Sequence, residues 1–189
     1  TEDGNVIYFH LSGGVYYPEA ISGDTSQIVR NTDNTYTRTL KSGITQAYST
    51  TGLLTGITDR NGNATTLTYS GGSLASITDQ NNRTTTITTA GGKITAITDA
   101  LNRTHSLTYS GDLLTAIADP LGNTWHYTYD TAGRMLTKVN PVNNTITYTY
   151  DASGRLLTST DSESKTRTLT YTASGTTTFT EKDGGVWTY

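Results

Sequence analysis

Hydrophobic and polar residues alternate along most of this chain, and the alternating segments recur at a fixed interval. Residues 54–69 read LTGITDRNGNATTLTY, and three similar segments follow at steps of 20 residues. Two further units open at Gly133 and Gly154 and have a period of 21 residues. Because self-similarity at a fixed interval is typical of tandem structural repeats, the pattern predicts a repeat protein.

Each unit divides into two strands joined by a turn. Leu54 and Ile57 belong to a first strand, and residues 59–63 (DRNGN) form the turn. The Asn61-Gly62 pair predicts a type I′ turn, which needs φ > 0 at both central residues. Side chains two residues apart share one face of a strand. The second strands therefore place threonines on one face and the following residues on the other, which we expect to point inward: Leu67, Tyr69, Ile87, Leu107, Tyr109, Tyr127, Tyr129, Tyr148, Tyr150, Leu169 and Tyr171.

Aspartate and glycine recur at the predicted turns. The extra residue of the longer units falls in the connecting turn, where Ser-Gly-Gly at 70–72 becomes Asp-Thr-Ala-Gly at 130–133. No window shows a 3.6-residue period, so no helix is predicted. The repeated turn positions are Asp59, Asp79, Asp99, Asp119, Gly133 and Gly154.

These elements predict an all-β fold, in which tandem antiparallel β-hairpins of 20–21 residues stack into a continuous curved sheet. An isolated hairpin is marginally stable in water, so neighbouring units must stabilise one another. We expect an irregular β region at 1–51, hairpin repeats at 52–172, and at 173–189 the start of a further repeat that stops within its hairpin. Residues 3–9 fit the second half of another hairpin.

Composition narrows the functional classes. Hydrophobic residues make up 33% of the chain, against roughly 45–50% in ordinary globular domains, so a two-layer core is not expected. The net charge is -3 and the basic residues are scattered, which argues against nucleic-acid binding. No apolar run approaches the roughly 20 residues of a membrane span. The absence of cysteine excludes disulfides and thiolate chemistry in these residues.

Candidate chemistry is sparse. The aspartate series, with Asp161, could form a stacked cation site, but aspartates in turns usually bond their own backbone, and we favour that interpretation. The three histidines lack metal-ligand spacing, and the carboxylate pairs Asp112/Asp119 and Glu181/Asp183 have no sign of burial. We therefore predict no catalytic residue, no metal and no cofactor. The aromatic stripe, with Trp125, leaves a surface glycan as one possible ligand.

Two segments resemble the YD repeats of the Rhs family. Residues 122–134 read GNTWHYTYDTAGR, and residues 148–157 read YTYDASGRLL. The resemblance extends over 52–172 and implies a β-strip that coils into a hollow shell, as in bacterial Rhs toxins, insecticidal toxin complexes and teneurins. Tyr-Asp itself occurs in register only at 129–130 and 150–151, and Asn140 stands where most units have aspartate. The aspartyl self-cleavage signature that closes Rhs shells is absent from these residues.

The expected function is structural and non-enzymatic: a wall segment of an Rhs-type shell that encloses a cargo or toxin polypeptide. The alternatives are a cell-surface adhesin or extracellular fibre and, less favoured, a carbohydrate-binding module. Expected partners are further repeats of the parent chain, identical copies paired at strand edges, or the enclosed polypeptide. The expected location is extracellular or at the cell surface.

Overall fold

A computed structural model describes residues 9–18, 25–173 and 175–189, and in this part of the chain all regular structure is β. The hairpin half predicted at 3–9 lies outside the described residues except for Phe9, which begins the first strand. No helix in the described ranges has the length and apolar character to cross a bilayer. The strands are β1 (Phe9–Ser12), β2 (Val15–Pro18), β3 (Gln27–Arg30), β4 (Tyr36–Thr39), β5 (Thr45–Tyr48), β6 (Leu54–Thr58), β7 (Ala64–Ser70), β8 (Ser73–Thr78), β9 (Thr84–Ala90), β10 (Lys93–Thr98), β11 (Thr104–Ser110), β12 (Leu113–Ala118), β13 (Thr124–Tyr129), β14 (Met135–Val139), β15 (Thr145–Tyr150), β16 (Leu156–Thr160), β17 (Thr166–Tyr171), β18 (Thr177–Thr180) and β19 (Val186–Thr188).

The chain divides into two compact units. Unit 1 comprises Thr1–Lys93 with Ile97–Asn102, and unit 2 comprises Ile94–Ala96 with Arg103–Tyr189. In unit 1, each strand from β1 to β9 pairs antiparallel with the next. In unit 2, the strands from β11 to β19 do the same. The predicted all-β class of stacked antiparallel hairpins is therefore confirmed.

The turn at residues 59–63 is not the predicted type I′ turn. Gly62 N donates to Asp59 O at 3.1 Å, and Asp59 N donates to Asn63 O at 3.0 Å, so three residues lie in the loop. Of these three, Gly62 alone has positive φ, at 85°. A type I turn followed by one left-handed residue closes such a loop. The type I′ prediction was wrong because such a turn needs positive φ at both Asn61 and Gly62, whereas here Gly62 alone is left-handed and closes a three-residue loop.

The same left-handed position recurs in turn after turn. Glycine or asparagine occupies it in nearly every case, since glycine has no Cβ and the short asparagine side chain tolerates this conformation. Ser164 is an exception, with φ of 62°. The residues with positive φ at this turn position are Asn34, Gly43, Gly52, Gly62, Asn82, Asn102, Gly122, Gly133, Asn143, Gly154, Ser164, Gly175 and Gly184.

True two-residue turns connect the 20-residue units. Gly71 and Gly72 have φ of 56° and 82°, and Gly91 and Gly92 repeat this geometry. In the longer units, Asp130 N bonds Arg134 O at 2.9 Å across a three-residue loop. The prediction that the extra residue lies in the connecting turn is therefore confirmed.

Each unit lacks a buried hydrophobic core. None of the hydrophobic side chains in the described residues is buried, and the buried residue is Ser26, whose hydroxyl accepts from Arg38 Nε at 2.9 Å. The predicted absence of a two-layer core fits this arrangement. Backbone ladders and half-buried side chains on one face must supply the stability instead.

The predicted segment boundaries fall inside regular structure. Turns with the same hydrogen-bond pattern occur at 31–35, 40–44 and 49–53, on the N-terminal side of the predicted boundary and across it. The boundary at residue 52 therefore stays a prediction about the parent chain. At the other end, β18 and β19 pair, and Tyr189 exchanges two backbone hydrogen bonds with Thr177. The turn of this last hairpin begins at Glu181 and has Gly184 as its left-handed residue, and the predicted segment 173–189 stays a prediction about the parent chain.

Candidate functional site

The two faces of the strands differ in chemistry and in exposure. On β7, Leu67 and Tyr69 are half-buried, whereas Thr66 and Thr68 are exposed. Leu67 lies opposite Ile77 on β8, and Thr66 lies opposite Thr78. We call the side of Leu67 and Tyr69 the Tyr face, and the side of Thr66 and Thr68 the hydroxyl face. All eleven positions predicted to point inward are half-buried on the Tyr face of their strands.

Hydroxyl groups pair across strands on the hydroxyl face. Thr68 bonds Ser76 at 2.7 Å in unit 1, and Thr149 bonds Thr158 at 2.6 Å in unit 2. Such cross-strand pairs contribute roughly 0.2–1 kcal/mol each. Further pairs of this kind join Thr78 to Thr84, Thr128 to Thr137, and Thr160 to Thr166.

A β-bulge recurs opposite the last tyrosine of the second strand. In unit 1, Thr68 pairs with Ser76 but Tyr69 pairs with Leu74, so Ala75 is the extra residue. A bulge bends its strand and increases the local twist. The same register shift occurs opposite Tyr48, Tyr109, Tyr129 and Tyr150.

The last tyrosine of the second strand binds the first strand of its own hairpin through its hydroxyl. Tyr129 Oη donates to the carbonyl oxygen of Leu114 at 2.7 Å, 15 residues earlier. The ladder between β12 and β13 runs from Ala118 to Ala116 only, so Leu114 lies beyond its last pair. The tyrosine therefore joins two strands where they no longer pair by backbone. The equivalent bonds run from Tyr69 to Leu54, from Tyr150 to Met135, and from Tyr171 to Leu156, at 2.7–2.8 Å.

We call this bond the tyrosine bond. Burial, with a smaller effect from nearby Tyr127, raises the pKa of Tyr129. The hydroxyl therefore keeps its proton at neutral pH and remains a donor. A neutral hydrogen bond of this kind contributes about 0.5–1.5 kcal/mol.

The Asp of the Tyr-Asp pair closes the connecting turn. Asp130 Oδ1 accepts from the backbone N–H groups of Ala132 and Arg134, both at 2.9 Å. Its Oδ2 accepts from Arg134 Nε at 2.7 Å. Asp151 makes the same contacts with Ser153 and Arg155. One carboxylate thus fixes both the loop and the arginine that follows it.

The arginine then contacts the last tyrosine of the unit that this turn opens. The Arg134 guanidinium lies 5.0 Å from the centre of the Tyr150 ring, and the Arg155 guanidinium lies 4.3 Å from that of Tyr171. These distances are within the range of cation–π contacts. Each of these tyrosines also makes a tyrosine bond. The Tyr-Asp and Gly-Arg residues of one turn are therefore linked to the tyrosine of the following hairpin.

The aspartates of the 20-residue units cap their own turns. Asp59 Oδ1 accepts from the N–H groups of Asn61 and Asn63, and its Oδ2 accepts from the Asn63 amide at 2.7 Å. The Asn63 side chain and then its backbone N–H lower the pKa of Asp59. In Asp79 the Arg83 side chain has the largest effect, again downward on the pKa. Asp99 and Asp119 accept from the backbone of Leu101 and Leu121 at 2.9 Å.

The other candidate groups are dispersed. Within the described ranges, no three His, Cys, Asp or Glu side chains come together as a set that could hold a metal ion. His105 and His126 are exposed. Glu181 binds Arg167 Nε at 3.1 Å, and Asp183 caps the N–H of Gly185. Asp161 caps its turn and forms an ion pair with Lys182.

Two kinds of functional residue escaped the sequence reasoning. The repeat pattern assigned no role to Arg134 and Arg155, and it did not predict the acceptor carbonyls. Arginine follows the left-handed glycine in each connecting turn that starts with Asp. That coincidence was a usable signal for an Asp–Arg pair, whereas the contact with the next tyrosine depends on strand register.

Comparisons with known proteins agree with this geometry. A family model described as Teneurin YD-shell matches residues 24–147, and one described as RHS Repeat matches residues 136–166. No curated protein sequence matches the chain.

Solved structures of low sequence identity also resemble the chain. The Tc holotoxin pore of Photorhabdus luminescens is 17% identical, with a TM-score of 0.59 over 80% of this chain and 10% of that chain. TcdB2-TccC3-TEV is 15% identical, with a TM-score of 0.47 over 88% of this chain and 12% of that one. This chain spans about a tenth of the length of these two solved chains. The likeness to the holotoxin pore concerns the fold. Since the YD-shell model covers well over half of the 189 residues and the repeats carry the tyrosine bond and Tyr-Asp turn described above, the chain belongs to the teneurin YD-shell family, as the resemblance to Rhs and YD repeats predicted.

Proposed function

We propose that this chain is a wall segment of a YD-repeat shell and that the shell encloses a polypeptide, which the wall isolates without catalysing a reaction. Its partners are the neighbouring repeats of the parent chain, which continue the ladder, and the enclosed polypeptide. The shell acts outside the cell or at its surface. The wall works by steric exclusion, because a hydrogen-bonded sheet leaves no gap for a protease or a folded partner.

The single observation that carries the proposal is the contrast between the two faces in the absence of a buried core. On second strands such as β7 the threonines of the hydroxyl face are exposed, and the hydroxyls on this face pair across strands. The Tyr face is half-buried and in unit 1 forms a largely apolar groove of about 370 Å³, lined by residues that include Phe9, Tyr16 and Ile28. Exposed apolar patches usually mark a contact surface. We therefore assign the Tyr face to the interior of the shell.

Single-cysteine labelling of the parent chain tests the enclosure. The 189 residues contain no cysteine, so Thr65→Cys and Thr66→Cys introduce one thiol each at adjacent positions of β7. Thr65 shares the Tyr face, since it lies opposite Ile57, and Thr66 lies on the hydroxyl face. With a bulky polyethylene glycol maleimide, we expect the Thr66→Cys parent chain to react and the Thr65→Cys parent chain to react only after denaturation.

The isolated 189-residue chain is the matched control, because its Tyr face is accessible and both variants should react there. Equal labelling of the two variants in the intact parent chain would contradict enclosure. The reverse pattern, with Thr65→Cys reactive and Thr66→Cys protected, would support a closed shell with the hydroxyl face inside.

A second candidate function, glycan binding, is favoured by one groove in unit 2. The groove has a volume of about 410 Å³, and Trp125, Lys138 and Asn144 are among the residues that line it. An aromatic ring beside amide and charged groups is a suitable surface for a sugar ring. In a Trp187→Phe background, saturable quenching of Trp125 fluorescence by oligosaccharides would support this function. Unchanged fluorescence across an oligosaccharide panel would remove its basis.

A further inference from the structure

One repeat lacks the tyrosine that makes the tyrosine bond. Thr89 stands 20 residues after Tyr69 and 15 residues after Leu74, so Leu74 occupies the position of the acceptor carbonyls described above. The ladder between β8 and β9 ends at Ser76 and Thr86, which leaves Leu74 beyond its last pair. This is the arrangement that Tyr129 spans in unit 2, where the ladder ends at Ala116 and His126.

A groove lies where the missing ring would be. Its volume is about 420 Å³, and its lining includes Ser73, Leu74, Ile87, Thr89 and Gly92. Thr89 is half-buried and shares the Tyr face with Ile87. The threonine side chain ends at its γ atoms, so the space that a phenol ring fills in the neighbouring repeats stays open.

We propose that this groove is a binding site for a tyrosine side chain presented by another polypeptide. The phenol hydroxyl donates to the Leu74 carbonyl oxygen, and the ring packs against Ile87 and Thr89. The chain itself supplies the argument for this ligand, because four of its own tyrosines fill the equivalent place with the same bond at 2.7–2.8 Å. The identification of this polypeptide as the enclosed cargo rests on the function proposed above. The chemistry of the site is independent of that proposal.

A phenol fits this site better than other side chains do. Phenylalanine has the ring but no donor, and a buried carbonyl left without a partner is costly. Serine and threonine have the donor but, like Thr89 itself, lack the reach. Leu74, Ile87 and Thr89 line the groove from the Tyr face and Thr88 lines it from the hydroxyl face, and we expect the tyrosine to enter from the side of Ile87 and Thr89.

The test uses p-cresol, which is the tyrosine side chain without its backbone, and the isolated 189-residue chain. We expect saturation-transfer NMR to detect p-cresol with a dissociation constant in the millimolar range, and at least fivefold weaker binding of toluene, which lacks the hydroxyl. Thr89→Tyr should abolish the p-cresol signal by filling the groove. Thr86→Tyr, at an exposed position on the hydroxyl face of the same strand, should leave it unchanged.

A gain of binding provides an independent check. Tyr129→Thr removes the ring at the equivalent place in unit 2 and should create a second p-cresol site. In the Thr89→Tyr/Tyr129→Thr double variant the groove at residue 89 is filled, and only the new site in unit 2 should bind p-cresol. Absence of p-cresol binding to the unmodified chain, or equal signals from that chain and Thr89→Tyr, would overturn the inference. If the cysteine labelling still shows protection of the Tyr face, the tyrosine site alone fails and the enclosing wall stands.

Discussion

The 20-residue repeats of unit 1 and the 21-residue repeats of unit 2 differ in the contacts that connect one hairpin to the next. Both have a β-bulge and a tyrosine bond, as Tyr69 and Tyr150 show. Between the 20-residue repeats of unit 1 the connecting turns are the Gly-Gly pairs at 71–72 and 91–92, which close the hairpin and contribute no side chain. In unit 2 the two connecting turns of the 21-residue repeats, at 130–134 and 151–155, contain an Asp–Arg pair whose arginine contacts the next tyrosine.

The single added residue therefore changes how neighbouring hairpins are coupled. A two-residue turn has no room for a capping carboxylate, whereas a three-residue loop has N–H groups that Asp130 and Asp151 bind. The arginine held by that carboxylate reaches the following repeat. In a repeat protein, stability depends on such nearest-neighbour contacts. We expect the 21-residue repeats to be the more strongly coupled ones.

The largest expected effect tests what both repeat types share, the orientation of the Tyr face. Tyr129→Asp places a charge on the half-buried face and removes the tyrosine bond, and should lower the free energy of unfolding by roughly 2–3 kcal/mol. Thr128→Asp alters the exposed neighbour and should cost under about 1 kcal/mol. Urea denaturation measures both variants. Equal losses would contradict the assignment of the two faces.

The next effect isolates the tyrosine bond. Tyr69→Phe in unit 1 and Tyr150→Phe in unit 2 keep the ring and remove the donor, so each should cost about 0.5–1.5 kcal/mol in free energy of unfolding. Tyr148→Phe is the matched control on the same strand and face as Tyr150. A loss at Tyr148 as large as that at Tyr150 would show that the bond to Met135 is not the source of the effect.

The contrast between the two repeat types is tested directly at arginine. Arg83 and Arg155 each bind the aspartate four residues earlier, and Arg155 in addition lies over the Tyr171 ring. Arg155→Lys should therefore cost roughly 0.5–1 kcal/mol more than Arg83→Lys. A double-mutant cycle of Arg155→Lys with Tyr171→Leu measures the coupling. Zero coupling would remove the proposed advantage of the longer repeat.

The smallest expected effect is a loss of folding stability at acid pH. Hydrogen bonds from Asn63 and from Asn123 lower the pKa of Asp59 and Asp119, respectively, below the usual value of 3.8. A carboxyl group with a lowered folded-state pKa adds stability above its unfolded-state pKa, and that stability is lost as the pH falls through the folded-state pKa. The urea concentration at the midpoint of unfolding should therefore decrease as the pH is lowered below about 4.

The chain contains a natural control for this titration. Asn140 caps its turn through Oδ1, with bonds to the N–H groups of Val142 and Asn144. An Asp59→Asn/Asp119→Asn variant should likewise keep the turns and show a shallower loss of stability between pH 4 and pH 2. An acid profile identical to that of the unmodified chain would show that the caps do not set it.

Much of this architecture could be predicted from residues alone. The 20- and 21-residue periods, the alternation at Leu67 and Tyr69, and the placement of the extra residue in the connecting turn are all visible in the sequence. The turn at 59–63 was predicted in the right place with the wrong conformation. Asn-Gly is compatible with both a two-residue and a three-residue loop, and strand register decides between them.

The sequence by itself determined the strands, their alternation and the turns, because these depend on residues close together in the chain and on the periodicity of the backbone. Only the tertiary structure decided what the side chains bind across the ladder. Each acceptor carbonyl belongs to the residue that pairs, at a β-bulge, with the tyrosine of the previous hairpin: Leu54 pairs with Tyr48 and accepts from Tyr69, and Leu114 pairs with Tyr109 and accepts from Tyr129. The groove at Thr89 likewise depends on the tertiary structure, because it lies where other hairpins place a tyrosine ring.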